Sequence, residues 1–494
     1  MKHILFFILF SQILLGQETY FNKYYDVENG RQTVKSLVAF EDAYFILGIN
    51  RVNGDENKYA IWEIDEIGNV VNLNEYGTSN HVYLEGHLIS VHNKLFVFFS
   101  QFDTLLNSKY FLASIDKKGK LLWEQTYDLG EFNEGSRKLT ATKDNGFIMT
   151  GFSTSFPNEL GQAFCVKTDS IGNMEWQKDY GKLDGHDQGN EIIQTEDGAY
   201  LVLAWTSKEF SNRDVWLFKI DSLGNMLWEK KYGGFYFEEC TDILEVEDGY
   251  VLVGYQYQSP MLDEGSRAYI LKIDKEGNLL WEKTYTGVSE YYGTRLDDIF
   301  REVRELEDGS LAVIGHSRNY NELERFSGTL MKLTAEGDSL WTKIYHNNSS
   351  NHYLWDFEVT EDNGFVMCGW SKGVESGTQD GWVLKLDSLG NTCQPANCDS
   401  IFTTSIHYDI TTHYPTQFYP NPAQNRVTFQ HRLPKGKEAV LEVYDLKGRI
   451  MGYWVLDIGD GELVLDIEGW GSGLYLYRVS VEEKEVSSGK LVVE

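Results

Sequence analysis

Cysteine is scarce in this chain, five residues in 494, and only Cys393 and Cys398 lie close together. Those two flank a short Pro- and Asn-containing stretch and form the candidate disulfide in an oxidising compartment. Cys165, Cys240 and Cys368 fall in or beside apolar runs and read as buried thiols. A zinc site would need a second close pair or neighbouring histidines, and neither is present, so no metal site is expected. Seven prolines are too few for a long disordered stalk. Positive charge is in deficit: 44 Lys and Arg against 75 Asp and Glu leave a net charge of -31. That balance repels phosphate backbones and anionic lipid and argues against nucleic acid as a partner. It suits solubility outside a cell; no cofactor is expected, with calcium the one the acidity leaves open. Gly-x-Ser-x-Gly, His-Glu-x-x-His and phosphate-binding Gly-rich motifs are all missing. With 75 acidic residues, chance carboxylate pairs are inevitable, so no glycosidase pair is nominated. A 3.6-residue apolar period is absent too, which excludes helical repeats.

One long apolar run is present, at the start. Lys2 and His3 precede Ile4 to Phe10, then Ile13 to Leu15 and the small Gly16. Residues 1–16 read as a secretory signal, too short for a membrane span. No other segment reaches spanning length, so the mature chain is expected to carry no transmembrane segment.

What fills the rest is repetition. The phrase Ile-Asp-x-x-Gly-Asn-x-x-Trp-x-x-x-Tyr is clearest from Ile220 to Tyr232. Its Asp position falls at Asp65, Asp116, Asp169, Asp221, Asp274, Thr334 and Asp387, seven copies. Tryptophan follows at Trp123, Trp176, Trp228, Trp281 and Trp341, and tyrosine at Tyr76, Tyr127, Tyr180, Tyr232, Tyr285 and Tyr345. Residues four apart on a strand share a face, and a strict period of such pairs implies packing between successive units. The Gly-Asn step is a hairpin signal, because glycine supplies the positive φ such turns need. The lone Asp of each turn reads as a turn cap; a calcium loop needs several carboxylates.

A second hairpin precedes each copy, marked by an acidic-Asp-Gly turn as in Glu247-Asp248-Gly249 and Glu307-Asp308-Gly309. Two hairpins per unit make four short strands in about 40–50 residues, the size of a propeller blade. The expected fold is all-β: a seven-bladed β-propeller over 17–392, a linker over 393–416 and a small antiparallel β-sandwich over 417–494. The seventh copy lacks a Trp-x-x-x-Tyr strand, whereas Phe21 to Tyr25 has the aromatic-x-x-x-Tyr form. That N-terminal strand is expected to complete the seventh blade and remove an open sheet edge.

The repeat resembles the tryptophan-docking motif of quinoprotein propellers, and more closely a family of secreted bacterial repeat proteins of unassigned function. For a quinoprotein dehydrogenase the resemblance implies an adjacent cysteine pair, which this chain lacks, and its repeat turn is one residue shorter.

The C-terminal residues carry a second pattern: Phe418-Tyr419-Pro420-Asn421-Pro422, then Val443 to Arg449 with Asp445 and Gly448, then Gly473-Leu474-Tyr475, and Lys490 near the end. In order and spacing, residues 417–494 resemble a type A C-terminal sorting domain of the type IX secretion system of Bacteroidetes-type bacteria. The resemblance implies that Tyr419, Pro420, Asn421, Pro422, Asp445, Gly448, Gly473, Tyr475 and Lys490 form the sorting signal. It also implies type IX machinery as a partner and a secreted or outer-surface location reached through the periplasm.

In a four-stranded antiparallel blade the first and third turns lie on one face, here the tight repeated ones. The variable segments gather on the other face, where binding usually resides. That face carries the ligand-binding candidates His186, Tyr236, Tyr291, Tyr292, Arg295 and Tyr320, along with Asp187, Phe237 and Tyr257. Aromatics among carboxylates suit sugar stacking and hydroxyl recognition; the other reading is that they plug the gaps between blades. No catalytic set emerges. The sequence points to an exported binding or interaction module with polysaccharide or another surface protein as ligand. A secreted glycan-active or quinone-dependent enzyme on the same scaffold is the alternative.

Overall fold

A computed structural model describes residues 20–25, 30–52, 56–77, 82–102, 108–127, 134–153, 161–182, 185–207, 213–234, 237–257, 265–287, 297–319, 325–346, 350–373, 379–392, 402–404, 408–433, 438–456, 459–481 and 484–494. Every regular element among them is a β-strand. No helix is long and apolar enough to cross a membrane.

Up to residue 386 the strands form successive antiparallel sheets, each ordered as in the sequence. They are β2 (Arg31–Phe40), β3 (Ala43–Val52), β4 (Glu56–Asp65) and β5 (Val70–Tyr76), followed by β6 (Val82–Val91) to β9 (Leu121–Tyr127) and β10 (Glu134–Ala141) to β13 (Met174–Tyr180). Then come β14 (His186–Gln194) to β17 (Met226–Tyr232), β18 (Glu238–Val246) to β21 (Leu279–Gly287), β22 (Asp298–Glu305) to β25 (Ser339–His346), and β26 (Ser350–Val359) to β28 (Gln379–Leu386). The last set has three strands of its own, and β1 (Phe21–Tyr25) pairs antiparallel with β28, Phe21 opposite Lys385 and Tyr25 opposite Gly381. The leading strands β2, β6, β10, β14, β18, β22 and β26 touch one another in that order, and β26 touches β2.

The tight turns form as their residues dictate. Asp221 Oδ1 accepts from the amides of Leu223 and Asn225 at 2.9 and 2.8 Å, capping the turn. Asp65, Asp116, Asp169, Asp274 and Asp387 do the same, and Thr334 Oγ1 takes over at the copy that lacks Asp. Gly68, Gly119, Gly172, Gly224, Gly277, Gly337 and Gly390 all sit at φ between 72° and 82°, where a side chain is strained. In the other hairpin a lysine from the third strand reaches the turn carboxylate, as in Lys219–Asp197 at 2.7 Å and Lys385–Asp362 at 2.8 Å.

The repeated aromatics join each sheet to the next. The Tyr127 hydroxyl donates to the Gly172 carbonyl at 2.6 Å, Tyr180 to Gly224 at 2.8 Å, Tyr232 to Gly277 at 2.7 Å and Tyr345 to Gly390 at 2.7 Å. Tyr76 and Tyr285 donate likewise to Gly119 and Gly337. Apart from Gly119, which meets Asn74, each of these glycines also lies against the preceding tryptophan, so a Cβ at Gly277 would stand 3.1 Å from the Trp228 ring. Strand β1 repeats this chemistry: Tyr25 donates to the Gly68 carbonyl at 2.9 Å, Phe21 packs under Gly68, and Lys23 reaches Asn69 as Lys178 reaches Asn225.

Residues 416–494 form two facing antiparallel sheets. One is β31 (Thr416–Tyr419), β32 (Arg426–Arg432) and β35 (Asp460–Asp466); the other is β34 (Ile450–Leu456), β33 (Ala439–Asp445), β36 (Gly473–Val481) and β37 (Lys484–Val493). Phe418, Phe429, Leu441, Val443, Tyr477 and Leu491 fill the core between them. The Asn421 side chain ties down the last strand, accepting from Val492 N at 2.9 Å and donating to the Lys490 carbonyl at 2.9 Å. Asp445 caps its turn through Lys447 N and Arg449 N, with Gly448 at positive φ. Tyr419 bonds Glu462 at 3.0 Å, Tyr475 bonds the Gly471 carbonyl at 2.7 Å, Gly473 opens β36 and Lys490 lies on β37. Pro420 and Pro422 each follow a cis peptide bond.

Within 393–416, expected to be a linker, two segments are strands. Residues β29 (Phe402–Thr404) pair with β25, and β30 (Tyr408–His413) pairs with β21. The outermost strand of a sheet leaves a row of unsatisfied N–H and C=O groups, and these segments satisfy two such rows. Cys393 and Cys398 lie outside the described residues.

Removing the Tyr25 hydroxyl with Tyr25→Phe is expected to cost about 1 kcal/mol, read from the urea unfolding midpoint. Deleting 20–25 bares the β28 edge; a larger loss and self-association in gel filtration are expected. Unchanged stability and a monodisperse profile would contradict a structural role for β1.

Candidate functional site

The leading strands share an irregularity. Each has a β-bulge at the same place: Val34/Ser36, Leu84/Gly86, Ser136/Lys138, Gly189/Glu191, Cys240/Asp242, Phe300/Glu302 and Leu354/Asp356. A bulge leaves one residue unpaired and re-aims its side chain. Six of the seven residues so left out of the ladder, Lys35, Arg137, Asn190, Thr241, Arg301 and Trp355, line one pocket of about 140 Å³.

Just beyond the bulges lies a ring of carboxylates. Asp242 Oδ2 accepts from Val303 N at 2.9 Å, Glu302 from Phe357 N at 3.3 Å and Asp356 from Leu37 N at 2.7 Å. In each case the acid follows one bulge and the amide stands two residues after the next, so amides freed by bulging are satisfied across the strand junction. Two cations run through this ring. Lys138 Nζ is 2.8 Å from Glu191 and 3.6 Å from Glu302, and Arg304 is 3.2 Å from Asp242 and 3.1 Å from Glu302. Burial raises the carboxyls of Glu191, Asp242 and Glu302 above the ordinary range. Burial also works against the Lys138 charge, but Glu191, Glu302 and Asp242 outweigh it and hold its pKa above that of a free lysine.

Three of the bulged residues, Lys35, Arg137 and Arg301, are cations. The Trp355 ring lies between Lys35 Nζ at 4.2 Å and Arg301 Cζ at 4.3 Å. Burial, then Arg137 and Arg301, lowers the Lys35 ammonium to about 7. Arg137 is held by Gln188, whose amide, oxygen inward, accepts from Nε and Nη2 at 2.8 and 2.7 Å. The carboxylate at this level, Glu239, accepts from Arg213 at 2.7 Å, Tyr255 at 3.0 Å and Asn190 at 3.3 Å. Arg301 Nε, Trp355 Nε1 and His87 Nδ1 are buried with no hydrogen-bond acceptor among the described residues. The pocket therefore offers hydrogen-bond donors, while its carboxylates are committed.

His186 sits at the first position of β14 opposite Ser207, away from this pocket. Asp187 is buried and accepts from Lys182 N at 2.9 Å. Phe237 is buried against Tyr255 and Tyr257, ring centroids 5.8 and 5.3 Å apart, with Arg213 4.9 Å over its face. Those aromatics pack on one another. Tyr236, Tyr291, Tyr292, Arg295 and Tyr320 lie outside the described residues. The axial residues were missed, although a signal existed: Lys138, Glu191, Asp242, Glu302 and Asp356 each stand six residues before a turn Asp, and the bulged residue precedes each of them.

The fold and site define an all-β repeat protein with an internal polar pocket and a separate C-terminal sandwich. Residues 417–494 match the family described as "Secretion system C-terminal sorting domain". The match supports reading the chain as type IX cargo and indicates export to a secreted or outer-surface location. No curated protein sequence matches the chain. Among solved structures it is similar to an unknown-function protein from Dyadobacter fermentans at 11% identity, covering 63% of this chain and 96% of that one, TM-score 0.41. A Trypanosoma rangeli sialidase mutant displaying trans-sialidase activity is 9% identical over 96% and 90% of the two chains, TM-score 0.39. The GH43_1 enzyme from Xanthomonas citri complexed with xylose is 10% identical over 65% and 92%, TM-score 0.33. Likenesses this distant bear on neither ligand nor chemistry.

Lys138→Met would leave Glu191 and Glu302 buried without their cation and is expected to cost about 3–5 kcal/mol near neutral pH. A carboxyl raised in the folded state loses stability as pH climbs through its folded pKa. The deficit should thus be largest at pH 9 and shrink towards pH 5, where the acids hold protons. Chemical unfolding of wild type and variant at both pH values checks this; a pH-independent deficit contradicts the assignment.

Proposed function

We propose that this chain is an exported binding module: a seven-bladed propeller, closed by β1, delivered by type IX secretion through residues 417–494, with polysaccharide or a surface protein as ligand. The circuit of contacts from β2 round to β26 and back supports the blade count, and the Tyr25–Gly68 bond supports closure. The observation that carries the binding function is the ring of bulges, which turns six side chains into one pocket and leaves buried donors unmatched. A residue at a bulge on every leading strand contributes little to sheet pairing, so its side chain is available for recognition. The carboxylates favour a binder over the alternative, a glycan-active or quinone-dependent enzyme. Asp242, Glu302 and Asp356 are taken by backbone amides and Arg304, which leaves them poorly placed for proton transfer.

Two experiments test the two halves of the reading. Deleting 417–494 is expected to trap the propeller in the periplasm; normal surface display or release of the truncated chain would refute the sorting role. A thermal-shift screen of the full mature chain against polysaccharides, calcium, and quinone with metal is expected to give a shift with a polysaccharide, abolished by Trp355→Ala. Ligand at a hundred times its dissociation constant adds roughly 2.7 kcal/mol. Stabilisation by quinone with metal alone, and by no polysaccharide, would move the assignment to the enzyme.

A further inference from the structure

The two sheets of the C-terminal sandwich turn unlike outer faces to their surroundings. On the three-stranded sheet, Gln417, Gln430 and Glu462 form one cross-strand row, hydrogen-bonded in turn at 2.7 and 3.3 Å. The same three line a cleft of about 850 Å³ together with Lys230 and Leu279 of the repeat region. Arg432 of this sheet stands 3.7 Å from Asp274, and Tyr414 packs on the cores of both parts. That outer face is polar and turned to the repeats.

The outer face of the four-stranded sheet lies on the other side of the sandwich. Leu441 and Val443 of β33 are buried, so Val440, Glu442 and Tyr444 point outward. Val455 and Tyr453 of β34 lie beside Val440 and Glu442, Leu476 of β36 beside Tyr444, and Val492 of β37 opposite Leu474. Ile450 and Tyr453 are each 59% exposed, and Val455, Leu476 and Val492 are exposed as well. The charges in the middle close on each other: Arg478 donates twice to Glu442, at 2.6 and 3.1 Å. Scattered apolar residues on a surface are ordinary, but a contiguous set on one sheet face marks a contact. Strand propensity does not require it, since Thr428 and Gln430 serve at the outward positions of β32. Strand β34 also bounds this face with an open edge. Among the described residues it pairs with β33 alone, and Ile450–Leu456 contains neither charge nor proline, the usual means of blunting an edge. Elsewhere the chain covers its edges, as β30 does for β21.

We propose that this outer face, centred on Tyr453, Val455 and Leu476, is where the export machinery holds its cargo, through an uncharged apolar surface of a machinery protein. The proposal rests on the sorting role of residues 417–494 and names the face that performs it. Position argues for that occupant. The matched family spans this sandwich and none of the repeats, and the opposite outer face is turned to the repeat region. Charge agrees: residues 417–494 hold 9 Lys and Arg against 12 Asp and Glu, so nearly all of the -31 lies elsewhere. An apolar partner can approach here without desolvating unpaired charge.

The test is export of the full chain in its native host. The variants are Tyr453→Lys, Leu476→Glu, the apolar swaps Tyr453→Phe and Leu476→Met, and Val464→Glu on the other sheet. Each is also purified for its thermal midpoint and for gel filtration. Tyr453→Lys and Leu476→Glu are expected to keep the wild-type midpoint, because both positions are exposed, and to lower the exported amount at least about tenfold. Both apolar swaps and Val464→Glu are expected to export as wild type does. Normal export of both charged variants, with deletion of 417–494 still blocking it, would overturn the face and leave the sorting role standing. Normal export of the deleted chain would remove the sorting role and this proposal with it. Retention of Val464→Glu alongside the charged variants, or a lowered midpoint in both of them, would overturn the assignment by making the defect one of folding or of charge anywhere on the sandwich. A wild-type dimer that Tyr453→Lys dissociates would give the face to a second copy. Co-flotation of wild type, but not Tyr453→Lys, with phosphatidylethanolamine–phosphatidylglycerol vesicles would give it to lipid. Either result would overturn the machinery as occupant.

Discussion

The architecture depends on one contact made over and over: a tyrosine hydroxyl from the last strand of one sheet meeting the carbonyl of a left-handed glycine in the next. The glycine is needed twice, for its φ and for the room it leaves the tryptophan beneath it. The tyrosine places a buried hydroxyl against a carbonyl that no strand partner satisfies, and burial holds phenols such as Tyr127 and Tyr232 protonated as donors. Hydrogen bond, indole packing and turn cap all converge on five residues of each unit. Sheets that would each be marginal alone gain a shared boundary, as stacked repeats do. Where the tryptophan is missing, at Asn72, neighbouring Asn side chains take up the turn instead: Asn72 and Asn74 both donate to the Lys118 carbonyl at 2.9 Å.

The inner strands solve a different problem. The leading strands lie against one another and crowd side chains together, and a bulge in each relieves the crowding by twisting the strand. The relief frees backbone amides, and the acids of the preceding strands satisfy them. Those acids then need cations, which Lys138 and Arg304 supply. Each step follows from the one before, so the ion network is a consequence of the bulges and contributes specificity of register more than net stability.

The parts of this molecule that were legible in the sequence are those whose cause is local. The turn phrase, the Trp and Tyr spacing and the aromatic pattern of Phe21–Tyr25 are set by residues a few positions apart. In the C-terminal sandwich the Asp445 turn cap is equally local. The axial pocket was not legible, because a bulge reverses the alternation on which inside and outside are judged. Lys35, Arg137 and Arg301 are cations whereas Asn190, Thr241 and Trp355 are neutral, and only the spacing to the following turn links all six. The segment at 402–413 escaped for another reason: short edge strands are recruited by an existing sheet and need little propensity of their own.

Pairing β1 with β28 has a consequence in time. Strand β1 finds its partner more than 350 residues later. Synthesis or translocation proceeds from one end, so until Gln379–Leu386 has arrived the final sheet lacks a strand and the first lacks its neighbour. Contacts of such sequence separation form slowly, because the loop entropy comes before the reward. The repeats can assemble piecemeal, but the β1–β28 pairing comes late, and the first and last sheets stay unjoined at that edge until then.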